Sequence, residues 1–389
     1  MKKWTIVALA LVVTVGCGSD GNPDPTTLPM STNTSTTTDT GTGLGAPGSA
    51  FIPVQIEQVI ESLVAATQAT GKDPTQTPVE VLLKQTDGYF APMVVGANRI
   101  TSRLGCPSNV EAALFDQTGT NEEIQKSKVD SQIALIQSYA DNSPYRAMGI
   151  APLGSDEETA AALDSFIAQR GPVVTIDSDT PTSQRAYYIG TDNFSAGAAA
   201  ARELAKVLQP GDTMAVFGTT EENWKSGYER ASGAEAGGAE AGLVVAPRIH
   251  PTWDAESDLA SLTTALQDPA LNIKGLVCCY SNSNLCAVAV ENLGLKGVVQ
   301  IVGFDFTTDT KPWFDKGYFH ALAGQRPYYM GVLAALVPYA INVIGAEATA
   351  AYLQPLLVAP QTIDTGLDIV TSEAYADYMA YLSQLGVNS

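Results

Sequence analysis

Short runs of apolar, β-type residues alternate with helical patterns along the chain from residue 79 onward. The runs cover residues 79–84, 110–115, 145–150, 173–177 and 187–190, then 213–218, 243–249, 275–279, 298–303 and 319–323. Helical spacing of apolar residues lies between them, for example over 122–139 and 157–169, and a more apolar helix covers residues 329–344. Repeated β-α-β units predict an α/β fold with parallel sheets that are covered by helices on both faces.

The part of the chain that carries this pattern is too long for one hydrophobic core. Roughly 340 residues follow residue 50, so we expect two lobes, each built on a doubly wound parallel sheet. Ligands bind beyond the carboxyl ends of the strands in such sheets, which points to the loops 86–90, 177–181 and 304–308. Helical spacing within residues 51–78 predicts an N-terminal helical extension that packs on the first lobe.

The first fifty residues predict export and anchoring. Lys2 and Lys3 precede an apolar run over 4–15 that is too short for a permanent membrane span, and Gly16 then precedes Cys17. We therefore expect a signal peptide over residues 1–16 and a lipid on Cys17, which becomes the mature N-terminus. Residues 17–50 are rich in Thr, Ser, Gly and Pro and predict a flexible linker. The alternative is a soluble secreted protein that is cleaved nearby.

The charge of the chain and the motifs it lacks limit the possible classes of function. The chain has 21 basic and 41 acidic residues, and removal of two lysines with the signal peptide leaves 19 against 41, a net charge of −22. So acidic a protein repels phosphate backbones, which excludes nucleic acid as a partner. The sequence contains no GxSxG, Walker A or HExxH motif and only His250 and His320. We therefore expect no enzyme activity, no catalytic residue, no cofactor and no metal.

Four cysteines follow Cys17, and an exported protein can form disulfides. Cys106, Cys278, Cys279 and Cys286 are the candidates. Adjacent cysteines such as Cys278 and Cys279 resist bonding to each other. The pairing Cys279–Cys286 is the first expectation, and free buried thiols are the alternative.

Three motifs, in order, carry a family resemblance. Residues 171–181 read GPVVTIDSDTP and are followed by YIGTDN at 188–193 and by Gly197. Residues 301–305 read IVGFD, and residues 323–331 read AGQRPYYMG. With these motifs the chain resembles the ribose-type periplasmic sugar-binding proteins of ABC transporters, which belong to the type I periplasmic binding protein superfamily.

The resemblance implies two similar lobes joined by three hinge crossings, with a sugar in the cleft between them. The crossings are expected near Thr191, near Gln325 and near residues 353–356. The first lobe would comprise residues 79–191 plus 326–353, and the second would comprise residues 192–325 plus 354–389.

The resemblance also implies the ligand contacts. Polar side chains would bind the sugar hydroxyls, and aromatic rings would cover its C–H faces, as sugar chemistry requires. The implied contacts are Tyr89, Phe90, Asp177, Thr191, Arg230, Trp253, Asn282, Asp305 and Gln325. The chain departs from the family at Ser178, where ribose binders have an arginine, at Asp87-Gly88 and at Ala151-Pro152.

Each of these residues also has a structural interpretation. Asp177 and Asp305 could cap helices or turns, Arg230 could be a solvated charge or an ion-pair partner, and Asn282 could be a helix N-cap. If the contacts are real, two acids from opposite lobes with Arg230 as the nearby cation favour a neutral ligand, a mono- or disaccharide.

The sequence thus predicts a monomeric, exported solute-binding protein that delivers its ligand to an ABC transporter permease. A ligand-presenting subunit of a sensory receptor would use the same closed-lobe surface, and an exported sugar hydrolase is a further alternative. A repressor of the related bacterial type is disfavoured by the export signal and the acidic charge.

Overall fold

The computed structural model describes residues 49–221 and 225–387. The predicted signal peptide, Cys17 and nearly all of the predicted linker lie outside the described residues. The strands are β1 (Val79–Leu83), β2 (Ser108–Ala112), β3 (Ala147–Ile150), β4 (Val173–Ile176), β5 (Tyr187–Gly190), β6 (Thr213–Phe217), β7 (Val244–Val245), β8 (Ile273–Cys278), β9 (Gln300–Phe304), β10 (Ala321–Gln325), β11 (Leu357–Ala359), β12 (Thr362–Asp364) and β13 (Leu367–Thr371).

The α-helices precede, separate and follow these strands. They are α1 (Val54–Ala69), α2 (Ala91–Leu104), α3 (Asn121–Asn142), α4 (Asp156–Gln169), α5 (Asn193–Ala205), α6 (Lys225–Glu240), α7 (Ala255–Gln267), α8 (Asn284–Asn292), α9 (Lys311–Asp315), α10 (Pro327–Ile344), α11 (Ala346–Leu353) and α12 (Tyr375–Gln384).

The first lobe is built on a sheet with the strand order β11-β12-β5-β4-β3-β1-β2. Neighbouring strands are parallel except β11 and β12. Side chains of β1 alternate between the two faces: Val81 and Leu83 pack into a core with α1, α2 and α10, whereas Leu82 packs with α3 and α4. Because both faces are covered, the central strands β1, β3 and β4 are mainly apolar on both sides, with the buried Glu80 of β1 as an exception.

The second lobe is built on a sheet with the strand order β13-β10-β9-β8-β6-β7. Neighbouring strands of this sheet are parallel except β10 and β13. Val216 and Val277 pack against α5 and α6, and Phe217 and Cys278 belong to the core on the opposite face. The predicted α/β class, with two parallel-dominated sheets, is confirmed.

One predicted strand is much shorter than its apolar run. The run over 243–249 forms a continuous ladder with β6 only at Val244 and Val245. Pro247 interrupts the run, and proline cannot donate to a strand ladder. Ile249 regains a single bridge, to Phe217.

Helix α10 is long and apolar enough to cross a membrane by length and composition alone, with a mean hydropathy of 1.4. It is 78% buried inside the protein, where it packs between α1, α2 and the first sheet. Its composition therefore fits a core helix of the first lobe.

The chain passes between the two sheets after β5, after β10 and after β12. Hydrogen bonds join these passages to one another. Thr191 Oγ1 donates to Gln325 Oε1 (3.0 Å), the Asp192 N–H donates to Asp364 Oδ1 (3.0 Å), and Thr365 Oγ1 donates to the Gly190 carbonyl (3.0 Å). The three crossings thus form one hydrogen-bonded unit.

The C-terminal segment does not follow the predicted boundary. Residues 354–389 were expected in the second lobe, but β11 and β12 extend the first sheet, where β12 pairs with β5. The third crossing therefore lies at Thr365–Gly366, beyond the expected residues 353–356. Three-residue strands are too short to show which of two sheets they join.

The predicted disulfide Cys279–Cys286 is wrong, because Cys286 on α8 bonds to Cys278, with the two Cα atoms 6.9 Å apart. Successive residues of an extended chain point to opposite faces. Cys278 and Cys286 share the core on one face of the second sheet, and Cys279 lies in the core on the other. Cys106 and Cys279 are free, buried thiols.

Candidate functional site

A cleft of about 600 Å³ lies at the carboxyl ends of strands from both sheets. Lys84 follows β1, Asp177 follows β4, Asn282 lies beyond β8, Asp305 follows β9, and Gln325 ends β10. Eight of the nine predicted contacts line this cleft: Tyr89, Phe90, Asp177, Arg230, Trp253, Asn282, Asp305 and Gln325.

Asp177 and Asp305 occupy equivalent positions in the two sheets. Each is the first residue after its strand, and each has a left-handed backbone, with φ of 62° and 63°. The Asp177 N–H donates to the Ile189 carbonyl (3.1 Å), and the Asp305 N–H donates to the Ala323 carbonyl (3.0 Å). Left-handed backbone is unfavourable for residues with a Cβ, although Asp tolerates it better than most. The fold therefore builds the same strained turn twice and places one carboxylate from each lobe in the cleft.

Aromatic rings reach the cleft from both lobes. Tyr89 and Phe90 come from the first lobe, with ring centroids 5.2 Å apart in an edge-to-face contact. Trp253 comes from the second lobe, is 52% exposed and meets the Tyr280 ring edge-on at 5.2 Å. The backbone of Trp253 is also left-handed, with φ of 65°. Flat apolar surface is thus available on both sides of the cleft.

Arg230 is buried and held in one orientation. Its Nε and Nη2 donate to Asn193 Oδ1 (3.0 and 2.6 Å), and its Nη1 donates to the Cys279 carbonyl (2.8 Å). Its guanidinium lies 4.5 Å from the centroid of the Phe304 ring. These three bonds use three of its five N–H groups, so the side chain is positioned by protein and still has donor capacity.

Close packing of α5 against α6 brings Arg230 to Asn193. A side-chain carbon at Gly197 would overlap the Arg230 carbonyl, and one at Gly233 would overlap the Phe194 carbonyl. Glycine at these two positions lets the helix backbones touch. Sequence reasoning missed Asn193, which supports the site without lining the cleft.

Lys84 is a cleft residue that the sequence did not reveal. Its ammonium lies 2.7 Å from Asp177 Oδ2 and 2.5 Å from Ser178 Oγ. Strand β3 lies between β1 and β4, so the lysine reaches across the end of β3, where the small residue Ala151 is buried. The expectation that Arg230 is the one nearby cation is therefore wrong. Lys84 pairs with Asp177 and Arg230 opposes the charge of Asp305, while Asp258 and Asp309 are two further acids in the cleft wall.

Asp305 is buried, and burial raises the pKa of its carboxyl to about 6, against the opposing effects of Arg230 and of hydrogen bonds from Gln325. Gln325 Nε2 lies 3.3 Å from both carboxylate oxygens. Thr191 donates to the same Gln325 and is itself buried in the hinge, away from the cleft. Thr191 is thus the one predicted contact that does not line the cleft in this structure, where it orients Gln325, and its contact with a ligand stays a prediction.

Two buried oxygens that face this region have no hydrogen-bond partner among the described residues. They are Asn282 Oδ1 and Asp258 Oδ2. Ser283, and not Asn282, is the N-cap of α8, so the capping interpretation of Asn282 fails. Buried acceptors without partners are unfavourable, and a ligand hydroxyl in the cleft would satisfy them.

Within residues 49–221 and 225–387, three or more His, Cys, Asp or Glu side chains nowhere come together in a way that could hold a metal ion. The groups that line the cleft are paired charges, amides and rings.

Two α/β lobes around a cleft lined with acids, amides and rings define a small-molecule-binding protein. The sequence profile of the periplasmic binding protein domain matches residues 79–344. This match covers more than half of the chain, which therefore belongs to the periplasmic binding protein family, and the predicted type I fold is confirmed. No curated protein matches the chain in sequence.

Solved structures show the same fold. A solute-binding protein of an ABC transporter from Burkholderia graminis, in complex with D-arabinose, is 23% identical, with a TM-score of 0.63 over 79% of this chain and 99% of that one. GanP, a glucose-galactose binding protein from Geobacillus stearothermophilus, is 22% identical, with a TM-score of 0.59 over 76% and 98%. A sugar-binding protein of a sugar ABC transporter from Bacillus halodurans is 21% identical, with a TM-score of 0.63 over 76% and 98%.

Proposed function

We propose that the protein is an exported, lipid-anchored receptor that captures a neutral mono- or disaccharide between its lobes and delivers it to an ABC transporter. The observation that carries the proposal is the pair Asp177 and Asp305, one carboxylate per lobe, at equivalent strand ends that line the same cleft. The structures of similar fold include one in complex with D-arabinose and one of a glucose-galactose binding protein, which supports a sugar as the ligand.

The charges of the cleft disfavour an anionic ligand, because acids outnumber cations in its wall. Lys84 already pairs with Asp177, and Arg230 offsets Asp305, so an added anion would have to displace one of these partners. A polyol can donate hydroxyls to the carboxylates and to Asn282 Oδ1 and accept from the remaining N–H groups of Arg230. Its apolar faces can lie against Trp253 and Tyr89. A single sugar unit occupies only part of about 600 Å³, so closure of the lobes or a second unit would fill the rest.

A thermal-shift screen tests the ligand class. At a concentration 100-fold above Kd a ligand adds about 2.7 kcal/mol of stability. Unfolding of roughly 340 residues changes entropy by about 0.7 kcal/mol/K, so the expected rise in Tm is about 4 °C. Arabinose, galactose, glucose, allose and common disaccharides form the panel, and sugar phosphates and citrate are the charged controls. A shift with a sugar phosphate but with none of the neutral sugars would overturn the proposed ligand class.

Membrane fractionation tests the anchor. We expect the wild-type protein in the membrane fraction of a bacterial host and Cys17→Ala in the soluble exported fraction. A wild-type protein that is soluble and begins at a residue other than Cys17 would contradict the lipid anchor, while leaving sugar binding untouched.

A further inference from the structure

A second pocket of about 210 Å³ lies on the flank of the hinge, beneath the C-terminal helix. Its walls come from the starts of α2 and α10, from the loop after β9 and from α12 and the residues that follow it. Lys84, Asp177, Arg230 and Trp253, which define the sugar cleft, do not line it. The two spaces adjoin, and the residues that line both are Gly88, Tyr89, Asp305, Thr307, Thr308 and Gln325.

The wall of this pocket is mainly aromatic and aliphatic. The rings are Tyr89, Phe306, Tyr328, Tyr329, Tyr378 and Tyr381. Val95, Leu382 and Leu385 add aliphatic surface. Helix α12 holds this wall together, because the Tyr378 ring lies 5.0 Å from Phe51 of the first lobe and 5.0 Å from Phe306 of the second.

Three polar side chains of the wall, Tyr329, Tyr381 and Arg326, are paired with protein. Tyr381 donates to Tyr329 (3.1 Å), which donates to Glu57 (2.6 Å). Arg326 bonds to Asp368 through Nη2 (2.6 Å) and to the Thr365 carbonyl through Nη1 (3.2 Å). A water molecule in the pocket would therefore find few of the two to four polar partners that a buried water needs.

The pocket is partly open to solvent, because its lining includes the exposed Thr308 and the half-buried Val95, Leu382 and Leu385. An apolar cavity of about 150 Å³ stays dry and binds benzene. At about 210 Å³ the hinge-flank pocket has room for two fused rings. The carboxylates of Asp305 and Asp368 in its wall repel an anion, and Arg326 in the same wall opposes an added cation.

We propose that the hinge-flank pocket is a second binding site, separate from the sugar cleft, for an uncharged planar molecule of one or two aromatic rings. Because the wall contains residues of both lobes, an occupant contacts both sides of the hinge. This inference does not depend on which sugar the cleft binds.

Isothermal titration of the full-length protein with indole tests the proposal. We expect saturable binding of one indole per chain, and at least tenfold weaker binding of indole-3-carboxylate, which has the same rings and a negative charge. Leu382→Trp fills the pocket from α12 and should weaken indole binding at least tenfold. Val95→Phe fills the pocket from α2 and should also weaken indole binding at least tenfold. With two variants on different helices, the test does not depend on either one alone being folded. Ser383→Trp adds the same side chain at an exposed position of the same helix and should bind indole like the wild type.

Asp177→Asn separates this site from the cleft, since Asp177 lines only the cleft. It should weaken sugar binding and leave indole binding unchanged. Absence of indole binding, or equal binding by Leu382→Trp, Val95→Phe and the wild type, would overturn the second site. Loss of indole binding in Asp177→Asn would also overturn it, by showing that indole occupies the cleft.

Discussion

Replacing Lys84 with methionine removes the cation beside Asp177 while keeping an unbranched side chain of similar length. The Lys84 and Asp177 side chains are 22% and 16% exposed, which places the pair between a buried and a surface ion pair. Stranding one partner of a buried pair costs about 3–5 kcal/mol, and an exposed pair contributes about 0–1 kcal/mol. We therefore expect Lys84→Met to lower the free energy of unfolding by about 1–3 kcal/mol.

Differential scanning calorimetry of the ligand-free protein measures this loss. With an unfolding entropy of about 0.7 kcal/mol/K for the folded part, a loss of about 2 kcal/mol lowers Tm by about 3 °C. Lys126→Met is the matched control. Lys126 pairs with Asp130 on α3, where the side chains are 73% and 60% exposed, and its replacement should shift Tm by less than about 1 °C.

A double-mutant cycle shows whether the ion pair is the cause. Asp177→Asn removes the charge that Lys84→Met leaves unpaired, so the double variant should lose less stability than the sum of the two single variants. Losses that simply add would refute the reasoning, because Lys84 would then stabilise the lobe through something other than Asp177.

Two further predictions concern the cores of the lobes. The carboxyl oxygens of Glu80 have no close hydrogen-bond partner among the described residues, and burial, with the nearby charge of Glu111, raises the pKa of Glu80 to about 8 against the weaker opposing effects of Asn109 and Tyr145. The folded state therefore holds a proton that the unfolded state releases near pH 4.5, so this contribution to stability is complete below about pH 4.5 and is lost as the pH rises through 8. Urea unfolding at pH 5, 7 and 9 measures this loss. The free energy of unfolding of Glu80→Gln, relative to that of the wild type, should increase as the pH rises, and a difference that stays constant would contradict the assignment. The second prediction is that reduction of the Cys278–Cys286 bond, which closes a loop of sequence separation 8, costs about 2–3 kcal/mol. Dithiothreitol should lower the Tm of the wild type and of Cys279→Ala but not that of Cys278→Ala. A lower Tm for Cys278→Ala and an unchanged Tm for Cys279→Ala would instead favour the pairing Cys279–Cys286.

The fold could be predicted because its signals are local. Each strand of a sheet covered on both faces must be apolar on both sides, and the intervening helices carry their own periodicity. The same reasoning located Asp177 and Asp305, since both directly follow apolar strands and the strand-end rule needs no tertiary information. What the pattern cannot show is that both residues adopt left-handed backbone.

The errors come from contacts between distant segments. Lys84 meets Asp177 across an intervening strand, and nothing in the residues next to either one indicates a partner 93 positions away. Thr191 sits at the hinge as expected, but its side chain turns to Gln325 instead of the cleft. Strands β11 and β12 have too few residues for an apolar pattern to assign them to a sheet. The disulfide depended on which face of β8 each cysteine takes, which follows from the register of the strand.

The central claim is that both lobes bind the same neutral sugar molecule. Isothermal titration calorimetry of Asp177→Asn and Asp305→Asn tests this claim most directly. The titrant is the sugar that gives the largest thermal shift. The control is Asp130→Asn, which makes the same change at an exposed acid on α3. Each cleft variant should lose about 2–4 kcal/mol of binding free energy, or roughly 30- to 900-fold in Kd, because hydroxyl donors are left without a charged acceptor in the cleft. The control should bind like the wild type. Wild-type affinity in either cleft variant would show that one lobe binds the sugar alone, and would contradict capture between the two.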